Sequence, residues 1–137
     1  MAQDIPQLAH LPLIGSPKEG YIAVATANGN VPFAVKRVFW TFRTPTSVQR
    51  GGHAHKRTRQ VLVAMAGKVS ISAETSDGRT FDFTLDDPGV GLYLPELCWR
   101  TLRFTKDAVL MVLASTDFER SDYINDLGAF RKLNKIR

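Results

Sequence analysis

The sequence predicts an all-β fold closed by one C-terminal helix, on three observations. Short segments rich in β-branched and aromatic residues recur along the chain, at 21–27, 34–42, 60–66, 68–74, 79–85, 90–94, 100–104 and 108–115, several alternating apolar with polar as half-buried strands do. Turn-forming runs separate them, among them Asn28-Gly29-Asn30, Ser76-Asp77-Gly78 and Asp86-Asp87-Pro88-Gly89. Helical periodicity is confined to the last stretch, where Tyr123, Ile124, Leu127 and Phe130 fall on one face. Many short strands at regular spacing specify a sandwich or a small barrel.

Each element has a local justification. Residues 1–30 form an N-terminal region containing the first strand. The Asp77-Gly78 pair suits a tight hairpin joining 68–74 to 79–85. Ser121 is the expected N-cap of the helix and Asp122 its acidic first-turn residue, which gives a helix over 121–133 with Tyr123 anchoring it on the strands. Arg131, Lys132, Lys135 and Arg137 suit its C-terminal end. No repeat, linker or low-complexity tract divides the chain, so residues 1–137 read as one domain.

Composition narrows the class. No apolar run approaches the roughly 20 residues of a membrane span, and the N-terminus lacks the basic and apolar regions of a signal peptide. The lone cysteine, Cys98, has no intrachain partner, so a cytoplasmic location is the expectation. The net charge of +5 comes from basic residues spread along the chain, which argues against nucleic acid. Lys56, Arg57 and Arg59 are the nearest to a cluster, and a solvated face is the simpler reading of them.

Chemistry concentrates in RGGHAHKRTRQVLVAMAG, residues 50–67, which holds two of the three histidines. On a strand His53 and His55 share a face, and Gly51 and Gly52 allow the backbone to bend beside a ligand. The spacing resembles the first motif of the cupin superfamily of small β-barrels, with His53, His55 and Gly67 in matching places. Gln60 stands where metal-binding cupins carry a glutamate, and Arg100 where their second motif carries a histidine. Two neutral imidazoles beside a permanent cation make a poor metal site, which wants three or more ligands. No metal or other cofactor is expected. Two imidazoles, an amide and an arginine can instead move protons and stabilise an oxyanion.

Four ordered segments, VPFAVKRVFW (31–40), RGGHAHKRTRQVLVAMAGKV (50–69), DDPGVGLYLPELCWRTL (86–102) and VLMVLASTDFERSDYINDLGAF (109–130), resemble the cupin-fold dTDP-sugar 3,4-ketoisomerases over nearly the whole chain. That resemblance implies a cupin-type jelly-roll β-barrel, a homodimer that exchanges N-terminal strands, and metal-free conversion of dTDP-4-keto-6-deoxy-glucose to its 3-keto isomer. The product would feed the synthesis of 3-amino-3,6-dideoxy sugars. In that reaction His55 is the expected carbon acid–base residue, and His53 relays the oxygen proton or holds the enediol. Arg100 polarises the carbonyl or steadies the enediolate, and Arg50 orients the sugar or binds the pyrophosphate. Gln60, Arg59, Glu19, Trp99 and Tyr93 complete the expected substrate contacts. Tyr93, Trp99 and Gln60 also have core or backbone-bonding readings, and Arg59 shares strand parity with the histidines. The family often shows two tyrosines where this chain has Phe39-Trp40, and D-x-R-G or similar where it has Ser16-Pro17-Lys18-Glu19-Gly20. Two alternatives stand beside this reading. One is a dTDP-4-keto-sugar 3,5-epimerase, whose histidine needs an aspartate and a tyrosine that no matching segment supplies. The other is a non-catalytic sugar-nucleotide-binding cupin.

Overall fold

Period-two burial and short turns organise nearly the whole chain. The computed structural model describes residues 4–136. In chain order the strands are β1 (Gln7–His10), β2 (Leu13–Ser16), β3 (Gly20–Ala23), β4 (Arg37–Phe42), β5 (Arg50–His55), β6 (Gln60–Ala66), β7 (Val69–Thr75), β8 (Thr80–Leu85), β9 (Val90–Leu94), β10 (Cys98–Phe104), β11 (Val109–Ala114) and β12 (Tyr123–Ile124), followed by helix α1 (Leu127–Ile136). Two five-stranded sheets, β1-β9-β6-β11-β4 and β12-β5-β10-β7-β8, form a jelly roll of the cupin type. Leu62, Leu92 and Leu110 from the first sheet and Ile71, Leu85 and Leu102 from the second belong to the core between them. Burying each such side chain contributes about 1.5–3 kcal/mol.

Strand β6 explains how the first sheet is covered on both faces. Its first five residues are all buried: Leu62 and Ala64 enter the core between the sheets, while Val61 and Val63 pack with Val31, Phe33, Tyr93 and Leu113 on the other face. The continuous apolar run follows from that double burial. Strand β7 has one buried face and reads as clean alternation. The Asp77-Gly78 turn joins β7 to β8 as expected, with Gly78 at a left-handed φ of 88°.

Strands β2 and β3 form a separate hairpin that pairs with neither large sheet. Leu13, Ile14, Tyr21 and Ile22 on it are 55–63% exposed. Glu19 lies exposed in its turn, where its amide donates to the Ser16 carbonyl at 3.2 Å.

The C-terminal expectation is corrected. Residues 120–122 form one 3-10 turn, Tyr123 and Ile124 add strand β12 to the edge of β5, and the helix begins only at Leu127. Its N-cap is Asp126, whose carboxylate accepts the Ala129 amide at 3.0 Å. Asp122 cannot serve that end, because its carboxylate is committed to residues 55, 57 and 58. The anchor of α1 is Phe130, fully buried with its ring centroid 5.9 Å from that of Trp99. Of the basic tail, Arg137 lies outside the described residues.

Candidate active site

The geometry of the site starts from two glycines. Gly51 and Gly52 take left-handed φ values of 80° and 71°. Where β5 pairs with β10, His53 lies opposite Arg100 and Gly51 opposite Thr101, so Gly52 is the extra residue of a β-bulge. Beyond the bulge His53 and His55 turn into the space between the sheets. A cavity of about 320 Å³ opens there, with apolar walls including Phe39, Leu62 and Leu110, and with Arg50, His53, His55, Gln60, Arg100 and Tyr123 among its polar residues.

A hydrogen-bonded chain fixes the protonation pattern. His55 is fully buried, and its Nδ1 lies 2.8 Å from Asp122 Oδ2. Asp122 also accepts the Arg57 amide at 2.6 Å and the Thr58 hydroxyl at 2.5 Å. Burial raises the Asp122 carboxyl, but these donors outweigh it and hold the group below the usual carboxylate range. An ionised Asp122 places the ring proton on His55 Nδ1 and leaves Nε2 as an open acceptor. On that side Arg100 Nη1 donates to Gln60 Oε1 at 2.6 Å, which turns the Gln60 amide nitrogen toward His55 Nε2 at 3.5 Å.

Electrostatics keep both imidazoles neutral. Burial first and the Arg100 guanidinium second lower His55 from 6.5 to about 3 and His53 to about 4, against the opposing pull of Asp122. The two rings meet edge to face with centroids 4.9 Å apart. The Tyr123 ring packs on both, at 5.0 Å from His53 and 4.5 Å from His55. Arg100 is 2% exposed, donates its Nε to the Cys98 carbonyl at 3.1 Å, and has no partner for Nη2 among the described residues. A buried cation with an unused donor is costly to keep and suited to charge that develops during a reaction. The same set can accept a proton at His55 Nε2 and steady an adjacent oxyanion.

Of the residues expected from the sequence, His53, His55, Arg100, Arg50 and Gln60 line the cavity. Four others lie elsewhere. Arg59 projects to the opposite face of the first sheet, over the Phe33 ring, and bonds the Pro32 carbonyl and Glu96. Tyr93, on the same face, is fully buried in the cluster around Val61 and Phe33. Trp99 alternates away from Arg100 along β10 and meets Phe130. Glu19 sits in the detached hairpin. Of the pair at 39 and 40, Phe39 lines the cavity while Trp40 faces outward, 61% exposed.

Asp122 and Tyr123 are the functional residues that sequence reasoning missed. The aspartate and tyrosine expected to be absent beside the histidine are both present, brought there by the pairing of β12 with β5. Only a contact 67 residues away in sequence gives Asp122 its role, so helical spacing misplaced both.

Known proteins resemble this chain in sequence and in fold. Residues 4–135 match the family described as FdtA: WxcM-like, C-terminal. The TDP-4-oxo-6-deoxy-alpha-D-glucose-3,4-oxoisomerase of Aneurinibacillus thermoaerophilus is 39% identical over 115 residues, covering 82% of this chain and 81% of that protein. QdtA, a sugar 3,4-ketoisomerase from Thermoanaerobacterium thermosaccharolyticum solved in complex with TDP, superposes with a TM-score of 0.89 at 31% identity over 99% of this chain and 98% of its own. The WlaRB TDP-quinovose 3,4-ketoisomerase of Campylobacter jejuni gives a TM-score of 0.86 at 31% identity, over 93% and 97% of the two chains. NovW, a 4-keto-6-deoxy sugar epimerase from Streptomyces spheroides, is 12% identical at a TM-score of 0.73 and shares the fold alone. On the matched span, the identities and the shared fold, the chain belongs to the FdtA (WxcM-like, C-terminal) family and is an isomerase.

Proposed function

We propose that the chain is a TDP-sugar 3,4-ketoisomerase that converts TDP-4-keto-6-deoxy-glucose to the 3-keto isomer by histidine acid–base chemistry. The observation that carries this reading is the His55 imidazole, its Nδ1 proton held by Asp122 and its Nε2 facing the Gln60 amide in a cavity that also holds Arg100. His55 Nε2 takes the proton from C3, which the neighbouring C4 carbonyl acidifies. Electron density moves to O4 and forms an enediolate, steadied by the Arg100 guanidinium. His53, beside His55, carries the hydroxyl proton from O3 to O4. Return of a proton to C4 with formation of the C3 carbonyl completes the isomerisation. No atom or electron is gained or lost, and the scheme uses no metal or cofactor. The 3-keto product suits later transamination to a 3-amino-3,6-dideoxy sugar.

The test is product identification by NMR from TDP-4-keto-6-deoxy-glucose, with His55→Asn alongside. A 3-keto product that falls at least about 10²-fold in the variant supports the reading. Full activity in His55→Asn would overturn the assigned base.

A second reading draws on Asp122 and Tyr123. A histidine paired to an aspartate, with a tyrosine at hand, also suits a 3,5-epimerase, which would exchange the proton at C5 rather than deliver one to C4. The 39% identity to a 3,4-oxoisomerase favours the ketoisomerase. For the assembly we infer a homodimer built through the N-terminal region, supported by the exposed apolar hairpin of β2 and β3.

A further inference from the structure

We propose that Thr58 is a positioning residue for the isomerisation, acting through Asp122 on His55, an inference that rests on the reading of His55 as the base. Thr58 lies in the connection between β5 and β6 and does not line the cavity. It is nonetheless fully buried, which is unusual for a threonine outside strand and helix. Its hydroxyl donates to Asp122 Oδ2 at 2.5 Å and stands 2.6 Å from the Thr116 hydroxyl.

Counting protons fixes the direction of this series. Asp122 is ionised and has no proton to give, so the single hydroxyl proton of Thr58 goes to the carboxylate. Thr116 must then donate to Thr58. The bonds run one way, from Thr116 to Thr58 to Asp122, and end on the same oxygen that accepts His55 Nδ1. Oδ2 offers two lone-pair directions, one taken by Thr58 and one by His55. Oδ1 takes the Arg57 amide at 2.6 Å. Thr58 therefore holds the carboxylate against the imidazole edge and neutralises part of the charge that the His55 proton meets.

The backbone does not need this hydroxyl. Residues 56–59 are tied to 115–122 by bonds of their own. The Lys56 amide donates to the Asp122 carbonyl at 2.7 Å and the Ser115 amide to the Arg59 carbonyl at 3.0 Å. The Arg59 amide donates to Ser115 Oγ at 2.8 Å. Loss of the Thr58 hydroxyl leaves both segments in place and changes only the carboxylate between them. One lone pair of Oδ2 is then unsatisfied in a buried site, and the carboxylate can turn away from the ring. Arg100 and His53 also act on His55, and the Tyr123 ring packs on it; Thr58 hydrogen-bonds none of the three.

Steady-state kinetics of the full chain on TDP-4-keto-6-deoxy-glucose test this, with Thr58→Val, Thr58→Ser, Thr116→Val, and Thr58→Val combined with Asp122→Asn. Thr58→Val keeps the shape and should lower kcat about tenfold, the size of one lost hydrogen bond to a charged group. KM should not change. Thr58→Ser should recover most of the rate, and Thr116→Val should give a smaller loss of the same kind. The acid limb of the pH–rate profile should move to higher pH in Thr58→Val, because a less neutralised Asp122 stabilises the imidazolium. Beside Asp122→Asn, Thr58→Val should cost nothing further in kcat. Wild-type kcat in Thr58→Val overturns the inference and leaves the ketoisomerase reading standing. A loss that Thr58→Ser does not recover, or that persists in full beside Asp122→Asn, marks Thr58 as structural and also overturns it. Absence of a 3-keto product from wild type would instead remove the ketoisomerase reading and this inference together.

Discussion

Asp122 decides what His55 can do. Its carboxylate fixes the imidazole proton on Nδ1 and at the same time opposes the lowering by burial and Arg100. Asp122→Asn should cut kcat about 10²-fold with little change in KM, because Asp122 is buried behind the ring at Nδ1 and does not line the cavity. Removing the negative charge also lowers His55 further, so the acid limb of the pH–rate profile should move to lower pH. A steady-state profile in which that limb rises or stays fixed would contradict the role. The glycines of the bulge separate two further outcomes. A Cβ at Gly51 would lie 2.7 Å from the Arg100 carbonyl oxygen, whereas one at Gly52 meets nothing within 4 Å. Gly51→Ala should therefore lower Tm by several degrees and disturb Arg100, while Gly52→Ala suffers only its left-handed φ, on the order of 1 kcal/mol. Thermal melts of the two variants give the comparison.

At the scale of elements, α1 is a brace on the second sheet, held by Phe130 against Trp99. Phe130→Ala removes a fully buried ring and should cost about 3–5 kcal/mol without touching the cavity. Urea unfolding should show that loss while kcat of the folded protein stays near wild type. The same region marks the limit of what the sequence discloses. Strands with one buried face, such as β7, and those with strong apolar runs, such as β6, were legible because period and hydrophobicity agree with their final environment. The hairpin at Asp77-Gly78 was legible from turn chemistry. Strand β12 was not: two residues leave no periodic signature, and Ser121-Asp122 mimics a helix start until a long-range contact claims the aspartate. Arg59 illustrates the complementary failure. Parity with His53 and His55 was counted across residues 56–59, which join β5 to β6 outside either strand, and that break lets Arg59 point to the other face. The histidine pair, Gln60 and Arg100 were readable because motif spacing survives folding; Asp122 and Tyr123 reach the histidines through neighbours that spacing does not encode.

For the whole molecule, two neutral histidines and an ionised aspartate make stability depend on pH. Above the unfolded value of 6.5 both states carry neutral imidazoles. As pH falls from there toward about 4 and about 3, the unfolded chain binds protons that the folded one refuses at His53 and His55. Stability therefore declines through that window by up to about 1.4 kcal/mol per pH unit for each group. The lowered Asp122 carboxyl adds a loss of the same sign as it is protonated. Urea midpoints should fall between pH 6.5 and 4, and a His53→Gln/His55→Gln double variant should flatten the curve; an equally steep variant would contradict the assignment. The apolar β2–β3 hairpin makes a second prediction at this scale. Equilibrium sedimentation should return a dimer, and Ile14→Asp/Ile22→Asp should shift it toward monomer. The central claim, proton transfer between adjacent sugar carbons by His55, is tested most directly by NMR of TDP-4-keto-6-deoxy-glucose turned over in deuterated water. A 3-keto product with deuterium at C4, lost in His55→Asn, is the predicted result; deuterium at C5 with the 4-keto group intact would contradict it.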